Sequence, residues 1–556
     1  MSRRLVAVLA VGALTLAGCG GGGSAVSAPS QTVGYTDINP QPRDKVRDGG
    51  DLRWPIDSLP NNYNYNEVDG TIQDGLSIAN AVMPSLFIAT ADGGERPDPD
   101  YLTSAVLTSS APEVVTYTIN PKATWSDGTP ITWRDLEASW RSQNGTDPAY
   151  QVSGTTGYQD IASVARGHDD KQAVVTFRTP FAEWQGLFSP LYPASLTGTP
   201  TGFNTAYQST IPVTAGPFTL DTIDQTAKTV TLKRDPKWWG TAAKLDHIIF
   251  KAYDRSAVAD AVANNELDWY QVASDVDLLR RAQTAPGVAV RNAPSRVFWE
   301  IALNGAPGSV LADLRVRQAI AQGINRQDIT NRMIGQIVPN AAPDGNHLYV
   351  PNTKDYRDNS DALPYDPGHA EQMLEAAGWA RRGFGPGAFR TKDGQRLSLR
   401  MIYYNAGSNL NIVKSVQNQL AQIGVDVVPQ QYRGNEFDTN ITKGNFDLVT
   451  FGWGGTTTPL SSAVGIYASP LGDNPRQNFG RVASPEIDAL FKQGIAELDD
   501  TKRAEIGNRI DRLIWQQAHS VVLYARPGTV AVRANLANFG APGLADIDYI
   551  DAGYVK

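Results

Sequence analysis

From residue 51 almost to the end of the chain, short β-branched or aromatic runs alternate with amphipathic helical ones. DLRWPI at 51–56, VVTYTI at 114–119, VVTF at 174–177, LSLRMIYY at 397–404, FDLVTFGW at 446–453 and SVVLY at 520–524 read as strands. Residues 232–239 and 244–250 read as two more, joined by a proline-bearing turn. Residues 70–86, 256–265, 313–320, 366–378, 412–423, 484–498 and 501–517 space their apolar side chains as helices do. This alternation confines the chain to the α/β class. About 510 residues follow residue 47, more than one ordinary core holds, so at least two lobes are expected.

One stretch, TYTINPKATWSDGTPITWRDLEASW at 116–140, shows the local logic. A strand runs into an Asp127-Gly128 turn, where glycine tolerates positive φ and the aspartate bonds its own turn. Thr132 is a suitable helix N-cap, and Asp135 falls in the first turn, where negative charge suits the helix dipole. Leu136 and Trp140 share one helical face.

The amino terminus is a targeting segment. Arg3 and Arg4 precede an apolar run at 5–16 that is too short to span a bilayer. LAGC at 16–19 resembles the bacterial lipobox, which implies cleavage before Cys19 and its lipidation. Cys19 is the only cysteine, so no intrachain disulfide is available. Gly, Ser, Ala, Pro and Gln dominate to about residue 47, as in a flexible tether. Net charge is −8, and no Lys/Arg cluster occurs, which disfavours nucleic-acid binding.

Catalytic and metal signatures are lacking. His168, His247, His347, His369 and His519 are scattered, each reading as a surface or satisfied core residue. There is no G-x-S-x-G elbow and no phosphate loop ending in Lys-Ser/Thr. Gly452 to Gly455 lacks the lysine and following helix that phosphate binding needs. Asp546 and Asp548 read as solvated. No enzyme chemistry, cofactor or metal is therefore expected of these residues.

WSDGTPIT at 125–132, after a strand and before an Asp-containing helix, resembles the signature of the peptide/nickel-type extracytoplasmic solute-binding proteins of ABC importers. Further phrases agree in order: PVTAGPF at 212–218, LKRDPKWW at 232–239, KLDHIIF at 244–250, DLRVRQAI at 313–320 and DPGHAEQMLEAAG at 366–378. The resemblance, to family 5 (cluster C, oligopeptide/dipeptide-binding lipoproteins), implies a two-lobed, periplasmic-binding-protein type II-like fold with a hinge and an extra inserted subdomain. Residues 1–18 would be a lipoprotein signal peptide and 19–47 the tether. Residues 48–64 with 205–290 and 525–556 would form a discontinuous lobe I, 65–204 the inserted subdomain and 291–524 lobe II.

Site residues follow by position: Gly70, Thr71, Tyr150, Tyr404, Asn405, Trp453, Gly454, Thr456 and Tyr524 as ligand contacts, and Cys19 as the lipidation site. Peptide-binding relatives follow this tryptophan with Trp-x-x-Asp, whose acid pairs with a peptide amino terminus. Here the run is Trp453-Gly-Gly-Thr456, and Ile441 and Thr450 stand where some relatives place cations. The other reading of this run makes Trp453 core and Thr456 a turn residue. The implied function is an extracytoplasmic, membrane-anchored, monomeric component that closes on an oligopeptide or peptide-like solute and delivers it to a permease driven by a separate ATPase. The alternative is a non-transporting regulatory or scaffold lipoprotein of the cell envelope built on the same fold.

Overall fold

The computed structural model describes residues 35–383, 385, 387–405, 409–472 and 474–556. The targeting segment and Cys19 lie outside them. The fold is α/β and two-lobed.

Lobe I is built on a four-stranded sheet. Asp51–Ile56 runs parallel to His247–Ala252, and Thr229–Arg234 and Phe218–Asp224 follow antiparallel. A second four-stranded sheet, in the order Leu102–Ser110, Glu113–Ile119, Gln172–Phe177, Ile161–Arg166, is antiparallel throughout. Its inward residues, among them Val115, Tyr117 and Val175, join Leu52, Trp54 and Phe250 of the first sheet in one continuous core. The two sheets thus share buried apolar area, the main favourable term in folding.

Lobe II holds a five-stranded sheet in the order Asp426–Tyr432, Ser398–Tyr404, Leu448–Gly454, Val297–Leu303, Ser520–Ala525. Helices Leu314–Gln322, Pro367–Ala376 and Asn409–Gln422 bury Ile320, Leu374, Val416 and Leu420 against it. A smaller three-stranded sheet of Trp269–Gln271, Val530–Arg533 and Val288–Arg291 stands on the lobe I side of the crossings. The chain crosses between this sheet and the five-stranded one twice, after Arg291 and after Ala525. The crossings lie side by side: Gly528 N–H donates to the Ala293 carbonyl at 2.9 Å, and Arg526 N–H to the Val297 carbonyl at 2.7 Å. A Cβ on Gly528 would come within 2.6 Å of the Pro294 carbonyl oxygen, so this approach needs glycine.

The signature stretch folds as its residues dictate. Thr132 caps helix Trp133–Gln143, and the carboxylate of Asp135 accepts the Thr132 amide at 2.8 Å, completing a capping box. The other Asp135 oxygen accepts the Ala194 amide at 2.9 Å, tying the helix to a distant segment of the subdomain.

Three expectations are corrected. The helix expected at 70–86 is only Gln73–Val82: residues 61–71 fold as a tight loop, and Met83, restricted by the proline that follows it, is extended. The tether expected to reach residue 47 ends earlier. Asp37 pairs with Ala541 and Val46 with Val555, and Val46 is fully buried. Asp546 is not simply solvated, since its carboxylate accepts the Ala89 amide at 2.8 Å.

Asp135→Ala should lower the unfolding free energy by about 2 kcal/mol, since it strands two partly buried amides; Asp127→Ala, on the exposed turn, should cost under about 1 kcal/mol. Urea titration of both variants checks this. Glu113 gives a pH signature. It is buried, Oε1 has no partner, and Oε2 accepts the Phe181 amide at 2.6 Å. Burial, helped by Asp160, raises its carboxyl to about 7 from an ordinary 4.5. The native chain then holds a proton that the unfolded chain has lost. Stability from this group is full below pH 4.5 and falls as pH rises through 7. Melting temperature against pH should show that decline, and Glu113→Gln should flatten it.

Candidate interlobe binding site

The chain enters the five-stranded sheet at Val297 and leaves it at Ala525, so that end of the sheet faces lobe I. Val297 stands opposite Gly454, and Phe298 lies between Trp453 and Ala525. Tyr404 ends its strand opposite Tyr432 on the same side. Six of the nine expected ligand contacts, Tyr404, Asn405, Trp453, Gly454, Thr456 and Tyr524, therefore gather at or near this edge.

Their surroundings differ. Trp453 is half-buried, stacked on Phe479 at 5.9 Å and edge-on to Phe451 at 5.1 Å. Its indole Nε1 donates to Glu300 at 2.9 Å. Glu300 is only 1% exposed and also accepts from Ser520 Oγ at 2.8 Å and Tyr467 Oη at 3.2 Å. Burial pushes its carboxyl upward, and His347 and these three donors pull it back. Trp453 is thus locked in orientation from below. Gly454 is exposed, with open space around the position of a Cβ. Thr456 is exposed, but its hydroxyl accepts the Thr458 amide at 3.1 Å and bonds Ser462 Oγ at 3.1 Å. Tyr404 is 39% exposed and rests edge-on against Phe437, and Asn405 lies beside Gln431 and Arg433. Tyr524 is sealed in the lobe II core with its hydroxyl toward Ser274.

The remaining three lie in the subdomain and make their contacts there. Gly70 is buried, with the Asn64 carbonyl where a Cβ would be. Thr71 donates to the Tyr65 carbonyl at 2.7 Å. Tyr150 donates to the Gly198 carbonyl at 3.0 Å, with its ring against Phe203.

Segment 456–461, which follows Trp453, is gripped from the other side. Helix Pro459–Tyr467 has no side-chain cap of its own. Its free amides at Leu460 and Ser461 donate instead to the two oxygens of Glu183, at 3.0 and 2.8 Å, from the inserted subdomain. Ala182 N–H donates to the Ile495 carbonyl at 2.7 Å beside it. A Cβ on Gly186 would come within 2.5 Å of Thr458 Cγ2. Arg296, at the crossing, donates to the carbonyls of Thr456 and Leu544 at 3.3 and 2.8 Å. Burial raises the Glu183 carboxyl, and the Ser461 and Leu460 donors and Arg503 oppose that. The inserted subdomain and lobe II are therefore in direct polar contact.

Sequence reasoning missed Glu183, Arg296 and Glu300. For Glu300 a signal existed, a lone acid inside the apolar run VFWEIAL, which burial makes costly without partners. Of the histidines, His347 is buried with Nδ1 at 2.6 Å from Asp511. His519 is buried at 3.1 Å from Asn478, and burial lowers its pKa to about 3.

Comparison with known proteins decides the family. The model of bacterial extracellular solute-binding proteins, family 5, matches residues 96–475. The oligopeptide-binding protein OppA of Mycobacterium tuberculosis is 42% identical over 554 residues, covering 98% of this chain and 92% of its own. This chain belongs to that family. Among solved structures, the periplasmic EDTA-binding protein EppA superposes with a TM-score of 0.85 at 23% identity, covering 96% of this chain and 99% of its own. The oligopeptide-binding protein AppA of Bacillus subtilis, in complex with a nonapeptide, does so at 0.76 and 18%, covering 92% and 100%. In this family member, Ile441 and Thr450 are buried, and Thr450 bonds the Glu300 carbonyl at 3.0 Å, so neither offers a charge to a ligand.

Glu183→Ala should loosen the contact between subdomain and lobe II. A larger radius of gyration by small-angle scattering, with unchanged circular dichroism, is the expected result; an unchanged radius would show that the contact does not hold the lobes.

Proposed function

We propose that the chain is the lipid-anchored substrate-binding component of an ABC importer, taking an oligopeptide or peptide-like solute between its lobes and delivering it to a permease. The observation that carries this reading is the 42% identity, over 98% of the chain, to a protein named for oligopeptide binding. In this reading Cys19 bears the lipid and the body stands outside the cytoplasmic membrane as a monomer. A separate ATPase supplies the energy, and no covalent chemistry is involved. The proposed division is lobe I at 48–64, 205–290 and 525–556, extended back to Tyr35, with the subdomain at 65–204 and lobe II at 291–524.

Affinity would come from closure, which a ligand drives only by its preference for the closed form. Trp453, fixed by Glu300, supplies a rigid aromatic wall. Gly70, Thr71, Tyr150, Tyr404, Asn405, Gly454, Thr456 and Tyr524 remain proposed contacts; of these, Tyr404, Asn405, Thr71, Gly454 and Thr456 are exposed. Thr456 favours a second reading, a non-transporting envelope lipoprotein on the same fold, because a hydroxyl cannot neutralise an ammonium.

Native mass spectrometry of the purified protein, followed by denaturation and identification of what is released, tests this. A ladder of peptides is the expected result. A single non-peptide species would transfer the function to that compound. An empty protein that no peptide mixture stabilises would favour the non-transporting reading.

A further inference from the structure

Several arginines leave one buried nitrogen without a partner, among them Arg390, Arg400 and Arg476, but Arg390 and Arg476 bond carbonyls through their other nitrogens and Arg400 has the carboxylate of Asp447 nearby. Arg291 donates to the carbonyls of Phe539 and Leu536, Arg317 to those of Leu311, Ala312 and Gln517, and Arg390 to those of Ile423 and Trp379. Arg526 is different. Its backbone is fixed at the hinge: its amide donates to the Val297 carbonyl at 2.7 Å, and its own carbonyl accepts from Ser295 Oγ at 2.8 Å. Its side chain is half-buried, and the buried Nε has no partner among the described residues. The neighbours that act on its charge are another arginine, Arg255 of lobe I, and Tyr524. Burial lowers its pKa to about 10, so it remains a cation at neutral pH.

The placement is specific. Ala525 stands opposite Phe298, and Phe298 opposite Trp453. Arg526 is therefore the next residue along the lobe-facing edge, about 10 Å from Trp453 across two strand spacings. Arg255 follows strand His247–Ala252; Tyr253 N–H donates to the Ile56 carbonyl, so Arg255 lies just past the ends of both parallel strands of the lobe I sheet. Arg255 is exposed. Arg255, whose charge acts on Arg526, thus stands at the lobe I strand ends, and Arg526 at the crossing into the lobe II sheet. A desolvated cation beside a like charge is unfavourable until an anion arrives.

We propose that Arg526, with Arg255 facing it, is an anion subsite that takes a carboxylate of the bound solute. This rests on the binding-protein reading and names the chemistry of its ligand. A guanidinium fork matches a carboxylate in charge and geometry. It also accounts for Thr456: the solute is held by its negative group at the hinge, and no acid is needed for its amino terminus. The carboxylate is either a peptide carboxyl terminus or an acidic side chain.

The test is calorimetric titration of the full chain and its Arg526→Gln, Arg526→Met and Arg526→Lys variants. The probes are matched synthetic pentapeptide pools: free acids, carboxyl-terminal amides, pools with Gln and Asn in place of Glu and Asp, and amino-terminally acetylated peptides. A panel of di- and tricarboxylates is titrated alongside. Removing the carboxylate that binds should weaken wild type about 10- to 100-fold, the worth of a charge-assisted pair. Arg526→Gln should lose that discrimination and Arg526→Lys should recover part of it, whereas acetylation should change little. Whichever pool, amide or Gln/Asn, loses affinity identifies the source. The ligand-free melting temperature of Arg526→Met should equal or exceed that of wild type, because an unpaired desolvated charge is removed; a merely structural arginine would lower it. Wild type and Arg526→Gln that treat all pools alike would overturn the subsite. Arg526-dependent binding of the carboxylate panel, without peptide binding, would keep the subsite and end the peptide reading. Binding of neither class would overturn the proposal.

Discussion

The chain joins the two lobes by two short crossings, packed so closely that only glycine fits at Gly528. Backbone hydrogen bonds between the crossings make them a paired strap. The same geometry fixes which end of the lobe II sheet looks at lobe I. It therefore sets which strand ends stand at the interlobe face.

Around the strap, buried charge is used with restraint. Glu300 is surrounded by an indole, a phenol and a hydroxyl, which together hold one tryptophan at the cleft edge. Glu183 completes a helix that belongs to the other lobe. Each is a carboxylate whose burial is offset by oriented donors, the condition under which such groups are tolerated. The buried Nε of Arg526 meets no such donor or acceptor among the described residues, and the charge nearest in effect is another arginine.

The fold was legible because its signals are local. The strand, Asp-Gly turn and capped helix at 114–143 follow from propensity and capping, and the family phrases from residue order. What sequence could not reveal depends on distant pairings. Strand Leu102–Ser110 has a half-polar pattern without clean alternation. Glu183 meets Leu460 only after 277 residues of intervening chain. The gathering of Tyr404, Asn405, Trp453 and Tyr524 at one sheet edge was recoverable from strand ends. The burial of Tyr524 and the local bonding of Thr456 were not, since both depend on packing between elements.

The pairing of residues 37 and 46 with the carboxyl-terminal segment has a mechanical meaning. Those partners, Ala541 and Val555, lie among residues that join the lobe I core through Leu536, Phe539 and Tyr554. A pull on the chain ahead of residue 37 would be borne first by backbone pairs rooted in that core. Asp37 also accepts the Asn292 amide at 3.0 Å, so part of that load meets the crossing that follows Arg291.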